Sequence, residues 1–306
     1  MSRGRKRVYR PVAAGFGAAA AAGCAASLNA QQMRWLLDYT AQQAAGLPAW
    51  RRDTQHIEKA FVFGGMNARS GVTSALLVKS GWTGVMDILS GPGNFFEANA
   101  PQADPAQLVD ELGQRYEVAR TNIKSWPVGS PMQSPLDALR ILQKRRPFSA
   151  DQVKQVTVRI ATRQAAMVSN RAMPDICLQH LVALMLLDKT VSLQSANDVQ
   201  RMTDPAVLRE RAKVRLIPDA ALQRLMPQRQ AIVEVILTDG TRLSERVTAY
   251  RGTTRNPMTR GEIIAKARGL MTPVLGAAKS ANIIEKVFTL EQVKDIRELR
   301  PLLQRV

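Results

Sequence analysis

Apolar residues recur at helical spacing through the first hundred or so residues of the chain. They lie three and four positions apart in residues 33–40 and again in residues 72–77. Such spacing is typical of helices that turn one face toward a core. A run of alanine and glycine at residues 12–26 predicts a further helix, packed closely because its side chains are small. The first part of the chain is therefore predicted to be mainly helical.

The pattern changes after residue 104. A helix is predicted at residues 105–112, ending at Gly113, and an alternating apolar pattern through residues 116–123 then predicts a strand. Alternation also predicts four later strands, at residues 155–161, 213–217, 231–238 and 242–250. The last two flank Asp239-Gly240, a strong hairpin signal.

Helical segments are predicted between these strands and again after them. They lie near residues 135–143, 177–187 and 206–212, and from Thr259 onward. Strands and helices that do not alternate regularly favour an α+β fold over a parallel α/β sheet. The change of pattern places a domain boundary near Arg115, with residues 1–115 helical, 116–256 α+β, and 257–306 helical again.

Composition and charge narrow the possible partners. With 306 residues, 45% of them hydrophobic, the chain can bury a sizeable core in two structural units. A net charge of +18 suits acidic small molecules, an anionic membrane or nucleic acid. The one dense basic run lies at residues 3–10, and aromatic residues make up only 5% of the chain, so the stacking platform of a single-strand binder is missing. We therefore expect no nucleic-acid partner.

The alanine-rich run at residues 12–26 also bears on location. It follows a basic start, as the apolar region of a secretory signal peptide does. Alanine and glycine nevertheless give it too little hydrophobicity for a signal peptide or a membrane span. The expectation is a cytoplasmic protein with no membrane partner.

The sequence lacks the motifs of several enzyme classes. It contains no G-x-G-x-x-G after a strand, no Walker A loop, no H-E-x-x-H and no G-x-S-x-G motif. The two histidines, His56 and His180, and the two cysteines, Cys24 and Cys177, form no local metal-ligand spacing. The sequence therefore predicts no metal site.

The stretch at residues 56–72, HIEKAFVFGGMNARSGV, is followed by an apolar helix and resembles the MmgE/PrpD family. Further similarities follow in the family's order: residues 13–23 (AAGFGAAAAAG), 91–96 (GPGNFF), 122–127 (NIKSWP), 175–188 (DICLQHLVALMLLD), 204–214 and the Asp239-Gly240 hairpin. The resemblance thus extends over nearly the whole chain.

The resemblance implies a mostly helical domain built from both chain ends, with a smaller α+β lid inserted at residues 116–256. Family members act on small di- and tricarboxylic acids without an iron–sulfur cluster. The implied activity is that of a lyase, most simply the dehydration of a hydroxy acid similar to 2-methylcitrate. No cofactor is implied, and the expected partners are a small polycarboxylate substrate and a second copy of the chain in a homodimer.

The resemblance also suggests site residues. Lys124 and Lys59 match the positions of two family lysines of the lid and cleft, and His180 falls where relatives carry a tyrosine or a histidine. These three are the catalytic candidates. Lysine and histidine can supply the base, the acid and the carboxylate-binding cations that such an elimination needs. The substrate-binding candidates come from the 56–72 stretch: His56, Arg69, Gly64 and Gly65.

Two differences from the family leave other hypotheses open. The chain is expected to lack the family's N-terminal third, and a family histidine has no counterpart near Val8 and Tyr9. Where some relatives carry histidines, residues 128–133 of this chain hold hydrogen-bonding side chains but none that exchanges a proton near neutral pH. The alternatives are a non-catalytic family member that binds a carboxylate or oligomerises, and a basic nucleic-acid binder.

Overall fold

The computed structural model describes residues 12–47, 49, 52–53 and 57–304. These residues form two units, the first ending at Tyr116 and the second beginning at Glu117. His56 and the basic run at residues 3–10 lie outside the described residues. Helices and one sheet of mixed direction coexist, so the chain is α+β.

The first unit is helical. Its elements are α1 (Ala13–Ala25), α2 (Ala30–Gln42), α3 (Ile57–Ala60), a π-helical turn (Phe61–Gly65), α4 (Met66–Lys79) and α5 (Phe95–Asn99). The predicted helices at residues 12–26, 33–40 and 72–77 are thus confirmed as α1, α2 and α4. In place of a helix at residues 105–112, the chain forms only a short 3-10 turn, Pro105–Leu108, followed by irregular turns.

Close packing of small residues holds α1 against α4. A β-carbon on Gly71 of α4 would lie 2.5 Å from the backbone nitrogen of Ala19 and 2.7 Å from the carbonyl carbon of Ala18, both in α1. Those separations are shorter than van der Waals contact, so only glycine fits there. The small core beside this contact contains Ala19, Leu36, Ala75 and Val78. The two helices can approach closely because Gly71 has no side chain to separate it from the α1 backbone.

The second unit contains a four-stranded sheet. Its strands are β1 (Val153–Ala161), β2 (Val214–Asp219), β3 (Ala231–Leu237) and β4 (Arg242–Val247), in the order β2-β1-β3-β4. β1 is parallel to β2 and antiparallel to β3, and β3 and β4 form a hairpin. Gly240 in that hairpin has a φ of +85°, a conformation that favours glycine. All four strands predicted after residue 150 are confirmed.

Nine helices and the sheet make up most of the regular structure described in the second unit. The helices are α6 (Gln133–Arg145), α7 (Thr162–Val168), α8 (Leu178–Asp188), α9 (Leu193–Asn197), α10 (Pro205–Ala212), α11 (Ala220–Arg224), α12 (Arg260–Leu275), α13 (Ala277–Phe288) and α14 (Arg300–Leu303). One core combines the inner faces of α6 and the sheet with α8, which is buried from Leu178 to Leu186. That core fixes the start of α6, beside which the candidate site lies.

The strand predicted at residues 116–123 is wrong. The segment forms a 3-10 turn, Glu117–Arg120, and then irregular backbone. Its apolar residues Tyr116, Val118 and Ile123 are exposed, so their alternation does not mark a buried face. The backbone N–H of Ile123 donates to the carbonyl of Gly252, which is not part of a strand.

The helices after residue 257 are described within the second unit, and their return to a shared helical domain stays a prediction. Among the described residues, every helix is too short or too polar to span a membrane.

Replacing Gly71 by alanine tests the packing of α1 on α4. We expect the free energy of unfolding to fall by about 1–3 kcal/mol, because the added methyl group overlaps the α1 backbone. Gly17 of α1 is the matched control, since a β-carbon there meets no atom within 4 Å. Gly17→Ala should raise stability by roughly 0.5–1 kcal/mol through helix propensity. Urea denaturation measures both, and equal effects of the two substitutions would contradict the packing.

Candidate functional site

Lys124 lies in the irregular segment that leads into the core of the second unit. Its side chain is exposed, and the backbone on either side is fixed. The N–H of Ile123 donates to the carbonyl of Gly252 at 2.8 Å. The carbonyl of Lys124 itself accepts a hydrogen bond from the ammonium group of Lys266. A surface lysine thus projects from a backbone that has little freedom.

Gly252 permits this arrangement. Its φ is +98°, in the left-handed region that L side chains rarely adopt. A β-carbon at this position would lie 1.7 Å from the carbonyl oxygen of Ile123. Any side chain here would push the segment that carries Lys124 away.

Trp126 anchors the other side of Lys124. Its backbone N–H donates to the side chain of Gln133 at 3.0 Å, and its carbonyl accepts from the same side chain at 2.9 Å. Its indole N–H donates to Asp137 Oδ1 at 2.9 Å. Asp137 also accepts from the Arg140 guanidinium at 2.7 Å and from the backbone N–H of Arg251 at 2.6 Å. The Asp137 side chain, only 3% exposed, therefore joins three segments of the chain.

Lys266 comes to Lys124 from α12. The start of α12 is fixed by a capping box between Thr259 and Glu262, and by an ion pair in which Arg251 Nε lies 3.0 Å from Glu262 Oε1. The hydrogen bond from Arg251, aided by Thr259, lowers the pKa of Glu262 to about 2. Arg251 thus ties α12 to the same backbone that contacts Asp137.

The two lysines interact electrostatically. Burial lowers the pKa of Lys266, and the positive charge of Lys124 lowers it further. Two adjacent cations form a site for a carboxylate, because an anion between them relieves their repulsion. A lowered pKa also makes the neutral amine form of a lysine easier to reach, and this is the form that accepts a proton as a general base. Sequence patterns did not single out Lys266, since 142 residues separate it from Lys124 in the chain.

The candidates from residues 56–72 lie in the first unit. α3, the π-helical turn and α4 follow one another without a break, so Lys59, Gly64, Gly65 and Arg69 occupy one continuous helical stretch. Gly64, Gly65 and Arg69 are exposed, and Lys59 is half-buried. His56 is outside the described residues.

A buried side chain stabilises the π-helical turn. The Asn67 amide donates to the carbonyl of Val62 at 2.7 Å, which compensates for the altered hydrogen bonding of the turn. π-helical turns are frequent at functional sites because they change the direction of neighbouring side chains. Here the turn contains Gly64 and Gly65 and separates Lys59 from Arg69.

His180 lies inside α8 and is fully buried. Neither ring nitrogen has a hydrogen-bond partner among the described residues. Burial, together with the charges of Arg211 and Arg201, lowers the pKa of His180 to about 4, against a smaller opposing effect of Asp198. The imidazole is therefore neutral near pH 7 and packs among apolar side chains. The structure brings together Lys124 and Lys266 at an accessible surface, but His180 has no such exposure.

Across the described ranges, no three His, Cys, Asp or Glu side chains are placed to hold a metal ion. The chemistry that the described groups can supply is cation-assisted carboxylate binding and proton transfer by lysine.

Comparison with known proteins gives matches over most of the chain. A model of the MmgE/PrpD N-terminal domain matches residues 2–108, and one of the MmgE/PrpD C-terminal domain matches residues 126–292. Cis-aconitate decarboxylase of Mus musculus is 25% identical over 319 residues, covering 98% of this chain and 62% of that protein. Cis-aconitate decarboxylase of Homo sapiens is 26% identical over 324 residues, covering 98% and 63%. The chain thus spans less than two thirds of the length of these relatives.

The unpartnered His180 predicts a specific pH dependence of stability. The pKa of His180 is about 4 in the folded chain and about 6.5 when unfolded, so the unfolded state binds the proton first as pH falls. Stability should therefore decrease from pH 6.5 to pH 4, by roughly 3 kcal/mol at most from this group. His180→Leu should remove that component and leave stability at pH 7.5 equal or higher. Urea denaturation at several pH values measures the difference, and parallel curves for the two proteins would contradict it.

Proposed function

The chain belongs to the MmgE/PrpD family, and from this premise we propose that it is a lyase acting on a small di- or tricarboxylic acid. The observation that supports the proposal best is the lysine pair of the second unit, in which the Lys266 ammonium group donates to the backbone carbonyl of Lys124 and the charge of Lys124 lowers the pKa of Lys266. Two neighbouring cations suit a substrate with at least one carboxylate, and a net charge of +18 attracts such anions over a longer range.

The lysine pair also suits the chemistry of an elimination. Removing a proton beside a carboxylate builds negative charge on that carboxylate, and a neighbouring ammonium group stabilises it. In a dehydration, the base takes the proton, a carbon–carbon double bond forms, and the hydroxyl leaves as water after receiving a proton. We assign carboxylate binding to Lys124 and proton transfer to Lys266, because the pKa of Lys266 is lowered.

Decarboxylation is the second candidate reaction. Two relatives are named cis-aconitate decarboxylase, and their similarity extends over 98% of this chain. In that reaction a carbon–carbon bond breaks to release carbon dioxide, and a proton is then added to the carbanion. The same lysine pair could bind the retained carboxylate and supply the proton. Dehydration and decarboxylation therefore differ in the bond broken, while the binding groups are shared.

The proposal further includes action without a metal or organic cofactor, and assembly as a homodimer. The family resemblance further implies catalytic roles for Lys59 and His180, and it implies substrate binding by His56, Arg69, Gly64 and Gly65. Light scattering of the purified chain measures the oligomeric state directly.

An assay with defined acids tests the reaction. We expect the chain to convert 2-methylcitrate with loss of water, or cis-aconitate with release of carbon dioxide, and mass spectrometry distinguishes the two products. Treatment with EDTA should leave the rate unchanged, because the proposed groups are lysines. Loss of activity in EDTA that a divalent ion restores would contradict the metal-free chemistry. Binding of these acids without turnover would instead support a non-catalytic family member.

Substitutions separate the roles of the two lysines. Lys124→Met and Lys266→Met should each lower kcat/KM roughly thirtyfold or more, while changing stability little. This corresponds to a loss of about 2 kcal/mol of transition-state stabilisation. Lys266→Arg keeps the charge but holds its proton, so it should preserve binding and lose turnover. Lys124→Met should also raise the pKa of Lys266, since it removes a neighbouring positive charge.

Steady-state kinetics and NMR titration of methylated lysines measure these effects. Lys294→Met is the control, because Lys294 is exposed and lies outside the described contacts of this site. If Lys124→Met and Lys266→Met both behave like Lys294→Met, the lysine pair is not the site.

A further inference from the structure

A cavity of about 510 Å³ lies in the second unit, and neither Lys124 nor Lys266 lines it. Its size is within the range of small-molecule sites, roughly 300–1,000 Å³. Residues from α6, from the loop after α6 and from the end of α8 surround it, and Trp126 completes it. The cavity is formed within one unit of the chain.

Two cations from α6 line one part of this cavity. Arg140 and Lys144 are four residues apart, so they lie on the same face of the helix. The Arg140 guanidinium is held 2.7 Å from Asp137 and 5.1 Å from the centre of the Trp126 ring. Arg140 is thus fixed in place, and Lys144 is exposed beside it.

A third cation comes from the end of α8. Lys189 Nζ donates to the carbonyls of Phe148 at 2.8 Å and Leu186 at 2.7 Å, and lies 5.7 Å from the centre of the Phe148 ring. An ammonium group has three N–H donors, so one remains for a ligand. Burial lowers the pKa of Lys189, against the opposing charges of Asp151 and Glu210. The ammonium is held by the protein before any ligand arrives, which reduces the entropy lost on binding.

The charge of the lining favours an anion. Three of the lining residues, Arg140, Lys144 and Lys189, are cations, and none of the described residues that line the cavity is acidic. Asp137 is bonded to Arg140, and Asp151 and Glu210 act on Lys189 from outside the lining. The lining itself therefore carries three cations and, among its described residues, no acidic one.

Three apolar residues of the lining indicate that the ligand has an apolar part. Trp126, Pro147 and Phe148 contribute apolar surface beside the cations. Small-molecule sites combine such apolar walls with a few polar groups that fix orientation. A purely polar anion such as phosphate would leave these walls in contact with water.

We propose that this cavity binds a small organic carboxylate with an apolar body, at a site separate from the lysine pair. The carboxylate pairs with Lys144 and Lys189, and the apolar body lies against Phe148 and Pro147. The proposal rests on the cavity alone and holds whether or not the chain is a lyase.

Calorimetric titration of the full chain with benzoate tests this site. We expect saturable binding of one benzoate per chain at the cavity. Lys144→Met and Lys189→Met should each weaken it roughly tenfold or more, as expected for a lost charge-assisted hydrogen bond. Lys144 has an exposed side chain, so its substitution leaves the fold intact even if Lys189→Met proves unstable in thermal unfolding.

Three controls decide the outcome. Lys294→Met should bind benzoate as the parent chain does, and Lys124→Met should keep the binding that Lys144→Met removes, which separates this site from the proposed active site. Inorganic phosphate should bind at least tenfold more weakly than benzoate, because it lacks an apolar body. Absence of saturable binding, loss of binding in Lys124→Met but not in Lys144→Met, or equal affinity for phosphate would each overturn the proposal.

Discussion

The buried carboxylate of Asp137 is the interaction on which the second unit depends. A buried carboxylate is costly unless it is paired and hydrogen-bonded, and truncating its partners leaves that cost uncompensated. Asp137 receives its donors from Trp126, from Arg140 one turn along α6, and from the backbone of Arg251, 114 residues away in the chain. Three separate segments therefore have to come together for the carboxylate to be satisfied, and their meeting point is next to Lys124.

This constraint links packing to chemistry. Trp126 and Gly252 fix the backbone on both sides of Lys124, and Arg251 extends the same network to Glu262 at the start of α12. α12 in turn carries Lys266 to the carbonyl of Lys124. Two like charges held together repel, and the fold maintains that repulsion through contacts elsewhere. An anionic ligand gains from it, which is why the lysine pair has the character of a carboxylate site.

Most of the regular structure could be predicted from the sequence, because helical and alternating patterns report directly on which faces are buried. The pattern failed at residues 116–123, where apolar side chains alternate on an exposed segment that lacks a neighbouring strand. Lys124 could be singled out from its place beside Trp126-Pro127. Lys266 could not, since a lysine on a helix has the pattern of a solvated residue and its partner lies 142 residues away in the chain. The catalytic role of His180 stays a prediction, and its burial could not be predicted from the sequence, because a histidine on a helix is equally compatible with an exposed face; here α8 is buried from Leu178 to Leu186.

A crystal structure of the chain grown with citrate would test the central claim most directly, namely that the Asp137 network fixes two lysines as a carboxylate site. The account predicts one citrate carboxylate about 2.7–2.9 Å from the ammonium groups of both Lys124 and Lys266, with the Asp137 contacts unchanged. Citrate ordered elsewhere on the chain, with the two lysines apart and uncontacted, would contradict it.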